Sequence, residues 1–388
     1  MTPAARIQAA IEILDHINTG VVAEKALISW ARRSRFAGSK DRAAIRDHVF
    51  SALRCRNSFA AMGNGSDGRA IMLGAVANSG GDAETLFSGV GHGPSALNDQ
   101  EKAWLAQGNA DDPVDLPEWL WLRFQESLGP DARKMADALR NRAPVFLRVN
   151  VARCTVEDAQ QELMADGVTT DRHPSASTAL VVTEGARAIR NAAAYTTGLV
   201  ELQDGASQAL AEALPLRPSQ RVLDYCAGGG GKTLAMGGLH PDLSLFAHDA
   251  VTGRMADLPS RAKRAGLQVT DLKTTALRSC DPFDLVLCDV PCSGSGSWRR
   301  SPEGKWILTP EKFDNLLSVQ RKILDEAAGL VKPGGVLAYA TCSILRPENE
   351  DQVNAFLDRS EGWTVKTQHN WFPDGDTDGF FLSALRLR

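Results

Sequence analysis

The chain has 388 residues, of which 43% are hydrophobic and 23% charged, a composition typical of globular proteins with two or three domains. Its seven cysteines are odd in number and include no C-x-x-C pair, which argues against a disulfide framework and a zinc site and favours a reducing cytoplasm. No apolar run reaches the roughly 18 residues that a membrane helix needs, and the net charge of −4 does not by itself indicate a nucleic-acid partner.

The first part of the chain shows helical periodicity. Apolar residues recur at helical spacing between positions 4 and 60, for example at Ile7, Ile11 and Leu14. The stretch GNGSDGRAIMLG (63–74) interrupts this pattern, which resumes over residues 100–140. We therefore expect an all-helical domain over residues 1–140.

A basic segment lies inside this helical region. Residues 25–56 contain nine lysines and arginines and only two aspartates. A solvated helix face is one explanation, but arginine predominates, and its planar guanidinium suits phosphate oxygens. We therefore expect contact with nucleic acid here, with Arg32, Arg33 and Arg35 as the candidate residues.

The character of the sequence changes after residue 140. Short β-like runs, VFLRVNV and ALVVTEG, flank a helical stretch, TVEDAQQELMADG, and predict a small α/β subdomain over 141–205. From 206 onwards, helical stretches separate four candidate strands, which are RVLDYCA, LSLFAHDA, FDLVLCDV and GGVLAYATC. Their apolar runs without alternation are typical of parallel strands buried on both faces, so we expect a Rossmann-like α/β domain over 206–388.

A run of four glycines follows the first of these strands, in LDYCAGGGGKTLA (223–235). It ends like an ATP-binding loop, but that motif needs a glycine where Cys226 stands, and the dinucleotide motif G-x-G-x-x-G fails as well. What remains is a tight turn between a strand ending near Asp224 and a helix starting near Lys232. A ligand can approach the backbone closely at such a turn, although a purely structural role is the alternative.

Asp249 lies at the end of the second candidate strand. An acid at this position of a doubly wound sheet binds ribose hydroxyls, but it could equally cap a helix. A ligand with a ribose and no phosphates fits the loop and the acid together, and S-adenosylmethionine is such a ligand. The candidate cofactor-binding residues are Cys226, Ala227, Gly228, Gly229, Gly230, Gly231, Lys232, Asp249 and Asp289.

Two cysteines follow the third and fourth strands, Cys292 in DVPCSGSGSWRRSPEGKW and Cys342 in YATCSILRPENE. Open α/β sheets bind ligands at the carboxyl ends of their strands, so we expect both cysteines and Asp289 in one pocket with the glycine loop. Buried, inert thiols are the commoner fate of cysteine, but positions in loops rich in Ser, Gly and Pro favour reactivity.

These two motifs resemble the signatures of the Sun/Fmu (Nop/Sun) family of RNA cytosine-C5 methyltransferases. CAGGGGKT is similar to the cofactor loop of that family, with Gly229 in place of its proline, and DGFF (378–381) resembles its closing strand. VFLRVN and LVELQDGASQAL also match, so the likeness runs over residues 143–388, and the first 140 residues resemble a NusB-like RNA-binding domain. The resemblance implies a Rossmann-like class I SAM-dependent methyltransferase domain preceded by an all-α NusB-like domain.

The resemblance also implies roles for three residues. A thiolate that adds to carbon 6 of cytosine makes carbon 5 able to attack a methyl group. In this family pattern Cys342 is the nucleophile, Asp289 hydrogen-bonds the ring nitrogen, and Cys292 releases the product. The chemistry alone leaves open a single-cysteine mechanism through Cys292. Lys232 contacts the substrate or the cofactor carboxylate, or caps its helix.

A target base must leave its stack to reach such a pocket. We expect Arg299, Arg300 and Lys305, just after the Cys292 loop, to contact RNA phosphates, and we expect Trp298 and Trp306 to pack. Where the family places an acid near the cofactor adenine, DLKTTALRS (271–279) offers only threonines unless Asp271 is shifted into that position, so no residue is assigned to the adenine.

The expected activity is transfer of a methyl group from S-adenosylmethionine to carbon 5 of a cytosine in RNA. 16S ribosomal RNA is the first expected substrate and transfer RNA the alternative. A non-catalytic RNA-binding assembly factor is the alternative from another class, but every motif residue is present. Asp289-Val290-Pro291-Cys292 excludes the motif of adenine-N6 methyltransferases. We further expect a cytoplasmic monomer that binds no metal and no membrane.

Overall fold

The computed structural model describes residues 1–108, 112–277 and 279–388, and the chain forms two compact units. The first consists of Met1–Arg142 and Trp298–Ile307, and the second consists of Ala143–Ser297 and Leu308–Arg388. The segments predicted as 141–205 and 206–388 thus fall almost entirely in one unit, except for the segment 298–307. In the described ranges, no helix has the length and hydrophobicity to cross a membrane.

The first unit is helical. The apolar residues that predicted it lie in its core, since Ile7, Ile11 and Leu14 are at most 7% exposed. Its helices before residue 142 are α1 (Pro3–Asn18), α2 (Ala23–Arg33), α3 (Ser39–Arg54), α4 (Arg56–Gly63), α5 (Gly68–Asn78), α6 (Ala83–Leu86), α7 (Asp99–Gln107), α8 (Glu118–Leu128) and α9 (Ala132–Ala138).

The interruption expected over residues 63–74 is shorter than expected, because α4 ends at Gly63 and α5 already begins at Gly68. This helix is buried on nearly every side, so its apolar residues show no amphipathic period. Its glycine content permits close packing, since a Cβ on Gly74 would lie 2.0 Å from the carbonyl oxygen of Phe59 in α4. Gly74, one of the glycines that suggested a loop, is therefore a helix-packing position.

The segment Trp298–Ile307 packs within the helical unit. The Trp298 ring stacks on Phe124 with 6.0 Å between ring centroids. The Trp306 indole N–H donates to the carbonyl oxygen of Leu53 at 2.7 Å. Both tryptophans therefore serve packing, and the chain returns to the first unit directly after the Cys292 loop.

The second unit begins with a small antiparallel sheet. Its strands are β1 (Val145–Val149), β2 (Thr169–Arg172), β3 (Ala179–Glu184) and β4 (Val200–Leu202), in the order β2-β3-β1-β4. The connecting helices are α10 (Val156–Ala165) and α11 (Ala193–Thr196). This order and connectivity correspond to the split βαβ arrangement of ferredoxin-like folds.

The larger sheet of the second unit has the order β10-β11-β9-β8-β5-β6-β7. Its strands are β5 (Arg221–Asp224), β6 (Ser244–Ala247), β7 (Val269–Asp271), β8 (Phe283–Asp289), β9 (Val331–Thr341), β10 (Trp363–Trp371) and β11 (Phe380–Leu387). The remaining helices, of which α16 belongs to the first unit, are α12 (Gly205–Glu212), α13 (Gly231–Leu239), α14 (Leu258–Ala265), α15 (Thr274–Leu277), α16 (Gly304–Ile307), α17 (Pro310–Ala328) and α18 (Glu350–Arg359).

The four predicted strands are β5, β6, β8 and β9, and all four run parallel to their neighbours among them. The strand order reverses between β5 and β8, which creates the switch point where doubly wound sheets bind ligands. The antiparallel strand β11 begins within DGFF, at Phe380, and β10 completes that edge. The expected Rossmann-like fold is confirmed.

Candidate active site

The glycine loop connects β5 to α13 and has two residues in left-handed backbone conformation, Gly228 at φ +50° and Gly230 at φ +78°. A Cβ on Gly230 would lie 2.2 Å from Cδ1 of Leu258, so this glycine is required for packing as well. A Cβ on Gly228 would meet no atom within 4 Å. The loop therefore has one face packed against α14 and one backbone position facing open space.

Side chains and backbone groups fix the rest of the loop. The Ala227 N–H donates to the carbonyl oxygen of His248 at 2.8 Å, and the Arg261 guanidinium donates to the carbonyl oxygen of Gly229. Burial raises the pKa of the Cys226 thiol, so this cysteine is protonated and inert at neutral pH. These contacts fix the shape of the loop.

Asp249 lies directly beyond β6 and is 4% exposed. Its carboxylate accepts hydrogen bonds from the Gly228 N–H at 3.0 Å and from the Val251 N–H at 2.9 Å. A carboxylate offers about four lone-pair sites, so two remain for hydroxyl donors. The open backbone position at Gly228 and this acid fit a ribose-bearing ligand.

Lys232 does not face the glycine turn as a phosphate-binding lysine would. Its Nζ donates to Oδ2 of Asp289 at 2.6 Å and lies 5.1 Å from the centroid of the Phe380 ring. Burial lowers the pKa of Lys232, but the contact with Asp289 outweighs burial, and the net pKa is raised. The ion pair therefore joins the start of α13 to the end of β8.

The two loop cysteines meet at the carboxyl ends of β8 and β9, with 3.4 Å between their sulfur atoms. The loops are fastened to each other by backbone bonds, from the Val290 N–H to the carbonyl oxygen of Ala340 and from the Gly296 N–H to that of Cys342, both at 3.0 Å. Both thiols are partly exposed. The structure thus brings Cys292 and Cys342 together, as expected from their places in the sheet.

The two thiols differ in acidity. A hydrogen bond from Cys292 lowers the pKa of Cys342, and the nearby Lys232 cation acts in the same direction. The same sulfur–sulfur bond raises the pKa of Cys292 well above its usual value. The lowered pKa favours Cys342 over Cys292 as the sulfur that ionises, with Cys292 as the donor of the hydrogen bond between them.

The DGFF motif supports the Cys292 loop. The Gly379 N–H donates to the carbonyl oxygen of Gly296 at 2.8 Å, and a Cβ on Gly296 would lie 2.2 Å from the carbonyl oxygen of Gly379. No larger side chain fits at this crossing. The motif therefore contributes a close backbone contact rather than a reacting group.

Sequence reasoning missed two buried polar residues that support the site. Arg148 of β1 is 5% exposed and donates to the carbonyl oxygen of Gly231 at 2.9 Å and to the side chain of Gln203. Burial lowers the pKa of Arg148 to about 10, so the guanidinium remains charged at neutral pH. Arg148 lies in VFLRVN and Gln203 in LVELQDG, so this contact joins two of the segments that resemble the family and ties both to the glycine loop. The second residue, Glu348, is fully buried behind the two cysteine loops.

The candidate RNA contacts divide into two groups. Arg299 and Lys305 are at most 1% exposed, and the Lys305 Nζ donates to the carbonyl oxygen of Arg54 at 2.8 Å. Their burial in the helical unit is incompatible with direct phosphate contact, which corrects the expectation for these two residues. The side chains that lie at the surface, as contact with RNA requires, are Arg32, Arg33, Arg35 and Arg300.

The sheet order and the glycine loop with an acid at the end of the next strand fit a ribose-bearing cofactor at the switch point, as in SAM-dependent methyltransferases. Comparison with known proteins agrees. Residues 211–386 match the family described as 16S rRNA methyltransferase RsmB/F, and residues 116–188 match its RsmF/B-like ferredoxin-like domain.

Relatives with established names include ribosomal RNA small subunit methyltransferase B from Xanthomonas campestris, which is 32% identical over 71% of this chain and 67% of its own length. The protein of that name from Cronobacter sakazakii is 31% identical over 74% of this chain and 70% of its own. The crystal structure of PH0851 superposes with a TM-score of 0.75 at 23% identity, covering 99% of both chains. A methyltransferase homolog from Pyrococcus horikoshii gives 0.62 at 25% identity, over 70% of this chain and 95% of its own.

The chain belongs to the RsmB/F family of RNA methyltransferases. It is accordingly an RNA methyltransferase that uses S-adenosylmethionine.

Proposed function

We propose that this protein methylates carbon 5 of a cytosine in 16S ribosomal RNA through a covalent adduct with Cys342. The observation that carries the proposal is the thiol pair, with sulfurs 3.4 Å apart at the switch-point edge of the sheet. Two thiols of unlike acidity suit a reaction in which one sulfur adds to the base and must later leave it. The relatives named above are small-subunit ribosomal RNA methyltransferases, which supports the choice of RNA.

Cys342 acts first in this proposal. Its pKa is lowered by the hydrogen bond from Cys292, so a larger fraction is thiolate at neutral pH and can add to carbon 6 of the cytosine. Addition moves negative charge to the ring nitrogen. Asp289 hydrogen-bonds that nitrogen, and the proton that Asp289 shares with Lys232 at 2.6 Å can follow the charge.

S-adenosylmethionine supplies the methyl group, and the loop Cys226–Lys232 with Asp249 and Asp289 would hold it. Once carbon 5 is methylated, it must lose its proton and Cys342 must be expelled. Cys292 lies 3.4 Å from the Cys342 sulfur and is placed to assist this release. As the Cys342–carbon 6 bond breaks, the Cys292 S–H gives its proton to the departing Cys342 thiolate, and the Cys292 thiolate so formed takes the proton from carbon 5, which restores both thiols. A single-cysteine mechanism through Cys292 is disfavoured by the raised pKa of that thiol.

The substrate RNA would extend beyond the pocket. We propose that Arg32, Arg33 and Arg35 contact its phosphates, because all three are exposed near the end of α2. Arg300 is a fourth candidate at the surface. We further propose a monomer that acts in the cytoplasm, where thiols such as Cys342 stay reduced.

A labelled methyl-transfer assay tests the proposed activity. The purified chain is incubated with S-adenosylmethionine carrying a labelled methyl group and with either 16S ribosomal RNA or transfer RNA, and the RNA is digested to nucleosides. We expect label in 5-methylcytidine from 16S RNA. Label in another nucleoside, or RNA binding without any transfer, would contradict the proposal, and the latter result would favour a non-catalytic assembly factor.

Bisulfite sequencing gives the cellular counterpart. A strain that lacks the gene should lose 5-methylcytosine at one or more sites of 16S ribosomal RNA. If modification is lost only from transfer RNA, transfer RNA and not 16S RNA is the substrate. If every modified site persists, the proposed activity is refuted.

A further inference from the structure

A buried carboxylate lies behind the two cysteine loops, and the chemistry proposed above does not use it. Glu348 lies in the short turn Arg346–Glu348 that precedes α18, and its side chain is 0% exposed. A buried acid is costly unless its oxygens are hydrogen-bonded. Its hydrogen-bond partners therefore indicate what it does.

Glu348 binds both loops at the residue next to each thiol. Its Oε1 accepts from the Ser293 N–H at 2.7 Å, and its Oε2 accepts from the hydroxyls of Ser293 and Ser343, both at 2.5 Å. Ser293 directly follows Cys292, and Ser343 directly follows Cys342. One carboxylate thus connects the two loops whose cysteine sulfurs are in contact.

The remaining partners show that the site is built for an acceptor. The Gln320 side-chain amide also donates to Oε1 of Glu348 at 3.0 Å. The Tyr339 hydroxyl donates to the Glu348 backbone carbonyl at 2.6 Å and fixes the turn. All side-chain partners of Glu348 are donors, and a carboxylate can accept from all of them, whereas an amide would turn an NH₂ group toward other donors.

We propose that Glu348 is a positioning residue that holds the Cys292 and Cys342 sulfurs in hydrogen-bonding contact. The inference rests on the proposed function only in taking this thiol pair as the reacting groups. Through that contact Glu348 keeps the pKa of Cys342 low, because the hydrogen bond from Cys292 is the largest cause of the lowering. The role is indirect, since Glu348 touches the serines and not the sulfurs.

A purely electrostatic role makes the opposite prediction. The pKa of Cys292 is raised by its bond to Cys342, by burial, and by negative groups that include Glu348. If charge alone mattered, removal of the carboxylate would make the thiols more acidic. If positioning matters, the sulfur–sulfur contact loosens and Cys342 becomes less acidic.

The test is the pH dependence of thiol alkylation in the full-length Glu348→Gln protein. The chain is treated with iodoacetamide over a pH series, and the alkylation rate of Cys342 is followed by mass spectrometry of its peptide. We expect the profile to move to higher pH by about half a unit or more, which is about threefold slower alkylation at neutral pH. The melting temperature is recorded for each variant.

Asp115→Asn is the matched control. Asp115 is a buried carboxylate of the helical unit that accepts from both the N–H and the hydroxyl of Ser58, as Glu348 does from Ser293. Its replacement should lower the melting temperature and leave the Cys342 profile unchanged. A comparable shift in this control would mean that general destabilisation alone moves the profile, which would overturn the inference.

An unchanged profile in Glu348→Gln, or one displaced to lower pH, would also overturn it. If that variant does not fold, Ser343→Ala removes one of the hydroxyl donors and must shift the profile in the same direction by a smaller amount. The alkylation assay needs neither RNA nor a methyl donor. A wild-type chain that forms no 5-methylcytidine would therefore refute the proposed function without deciding the role of Glu348.

Discussion

At the scale of single residues, the chemistry depends on contacts between groups far apart in the sequence. Lys232 and Asp289 are 57 positions apart, and their side chains meet at 2.6 Å beside the two thiols. The Lys232 cation is one of the groups that keep the pKa of Cys342 low, after the hydrogen bond from Cys292. The reactivity of Cys342 therefore depends on Cys292, Lys232 and Asp289 around it and not on the cysteine alone.

Lys232→Met tests this dependence. Methionine keeps most of the lysine volume against Phe380 but leaves Asp289 without its partner. We expect methyl transfer to fall by about 10²-fold or more, because a preorganised charge at the reacting base is lost. The pH–rate profile should also move to higher pH, as the pKa of Cys342 rises. Lys322→Met, at a lysine 75% exposed on α17, is the control, and equal losses in both variants would contradict the account.

Asp224 at the end of β5 makes stability depend on pH. It is 1% exposed, and burial raises its pKa to about 7, despite a hydrogen bond from the Thr233 hydroxyl that acts in the opposite direction. Because the pKa of Asp224 in the folded protein lies above its ordinary value of 3.8, the stability contributed by this group is complete below pH 3.8 and is lost as the pH rises through about 7.

Asp224→Asn should remove this dependence, because the amide keeps the shape and cannot ionise. We expect the free energy of unfolding, measured by urea denaturation over a pH series, to decline less between about pH 4 and pH 8 than in the wild type. An identical slope in both proteins would show that the carboxyl group titrates normally.

At the scale of elements, the glycine loop shows how backbone conformation selects a sequence. Gly230 combines a φ of +78° with a Cβ position 2.2 Å from Leu258, so any side chain there strains the loop and displaces α14. The chain at Gly253 has neither constraint, since a Cβ there would meet no atom within 4 Å.

Gly230→Ala should therefore destabilise the fold by about 1–3 kcal/mol and weaken binding of S-adenosylmethionine, because the strain falls on the cofactor loop. Thermal unfolding and calorimetric titration with the cofactor measure the two effects. Gly253→Ala is the matched control and should change neither. Full cofactor affinity in Gly230→Ala would contradict the assignment of this loop.

Some strands and helices could be predicted from the sequence and others could not. Strands β5, β6, β8 and β9 were predictable because each contains a run of apolar residues that is mostly buried in the sheet. Strand β7 has three residues, two of them exposed, and β10 is an edge strand that is mostly exposed, so neither has a strong pattern. Helix α5 was hidden because buried glycines, needed for packing, resemble those of a loop.

Part of the candidate site could also be predicted from the sequence, because it depends on the order of the strands. The edge of the sheet follows from strand order, so Cys292, Cys342 and Asp289 could be placed together before the structure was known. The contact of Lys232 with Asp289 and the burial of Glu348 follow from side-chain packing across long sequence distances, which local patterns do not contain. Charge alone likewise could not separate the buried Arg299 and Lys305 from arginines at the surface.

At the scale of the whole molecule, the chain crosses between its two units three times. The segment Trp298–Ile307 belongs to the helical unit, although it follows the Cys292 loop without a break. Two of its basic residues, Arg299 and Lys305, are buried in that unit, and Lys305 donates to the Arg54 carbonyl oxygen. We place the RNA backbone at Arg32, Arg33 and Arg35, which lie at the surface of the helical unit.

Replacing these three arginines by glutamine should weaken RNA binding by about tenfold and make it less dependent on salt, because fewer counterions are released. The melting temperature should change little, since the side chains are exposed. Filter binding at several salt concentrations measures the RNA affinity and its dependence on salt. Arg123→Gln, at an arginine 45% exposed on α8, is the control, and an unaltered salt dependence in the triple variant would place the RNA elsewhere.

The central claim is that Cys342 bonds to the base and Cys292 releases it. The most direct measurement is a denaturing gel of the Cys342→Ala and Cys292→Ala proteins after incubation with 16S ribosomal RNA and S-adenosylmethionine. We predict a stable protein–RNA adduct in Cys292→Ala, attached at Cys342, and no adduct in Cys342→Ala. An adduct that forms in Cys342→Ala and is absent from Cys292→Ala would reverse the two roles and contradict the account.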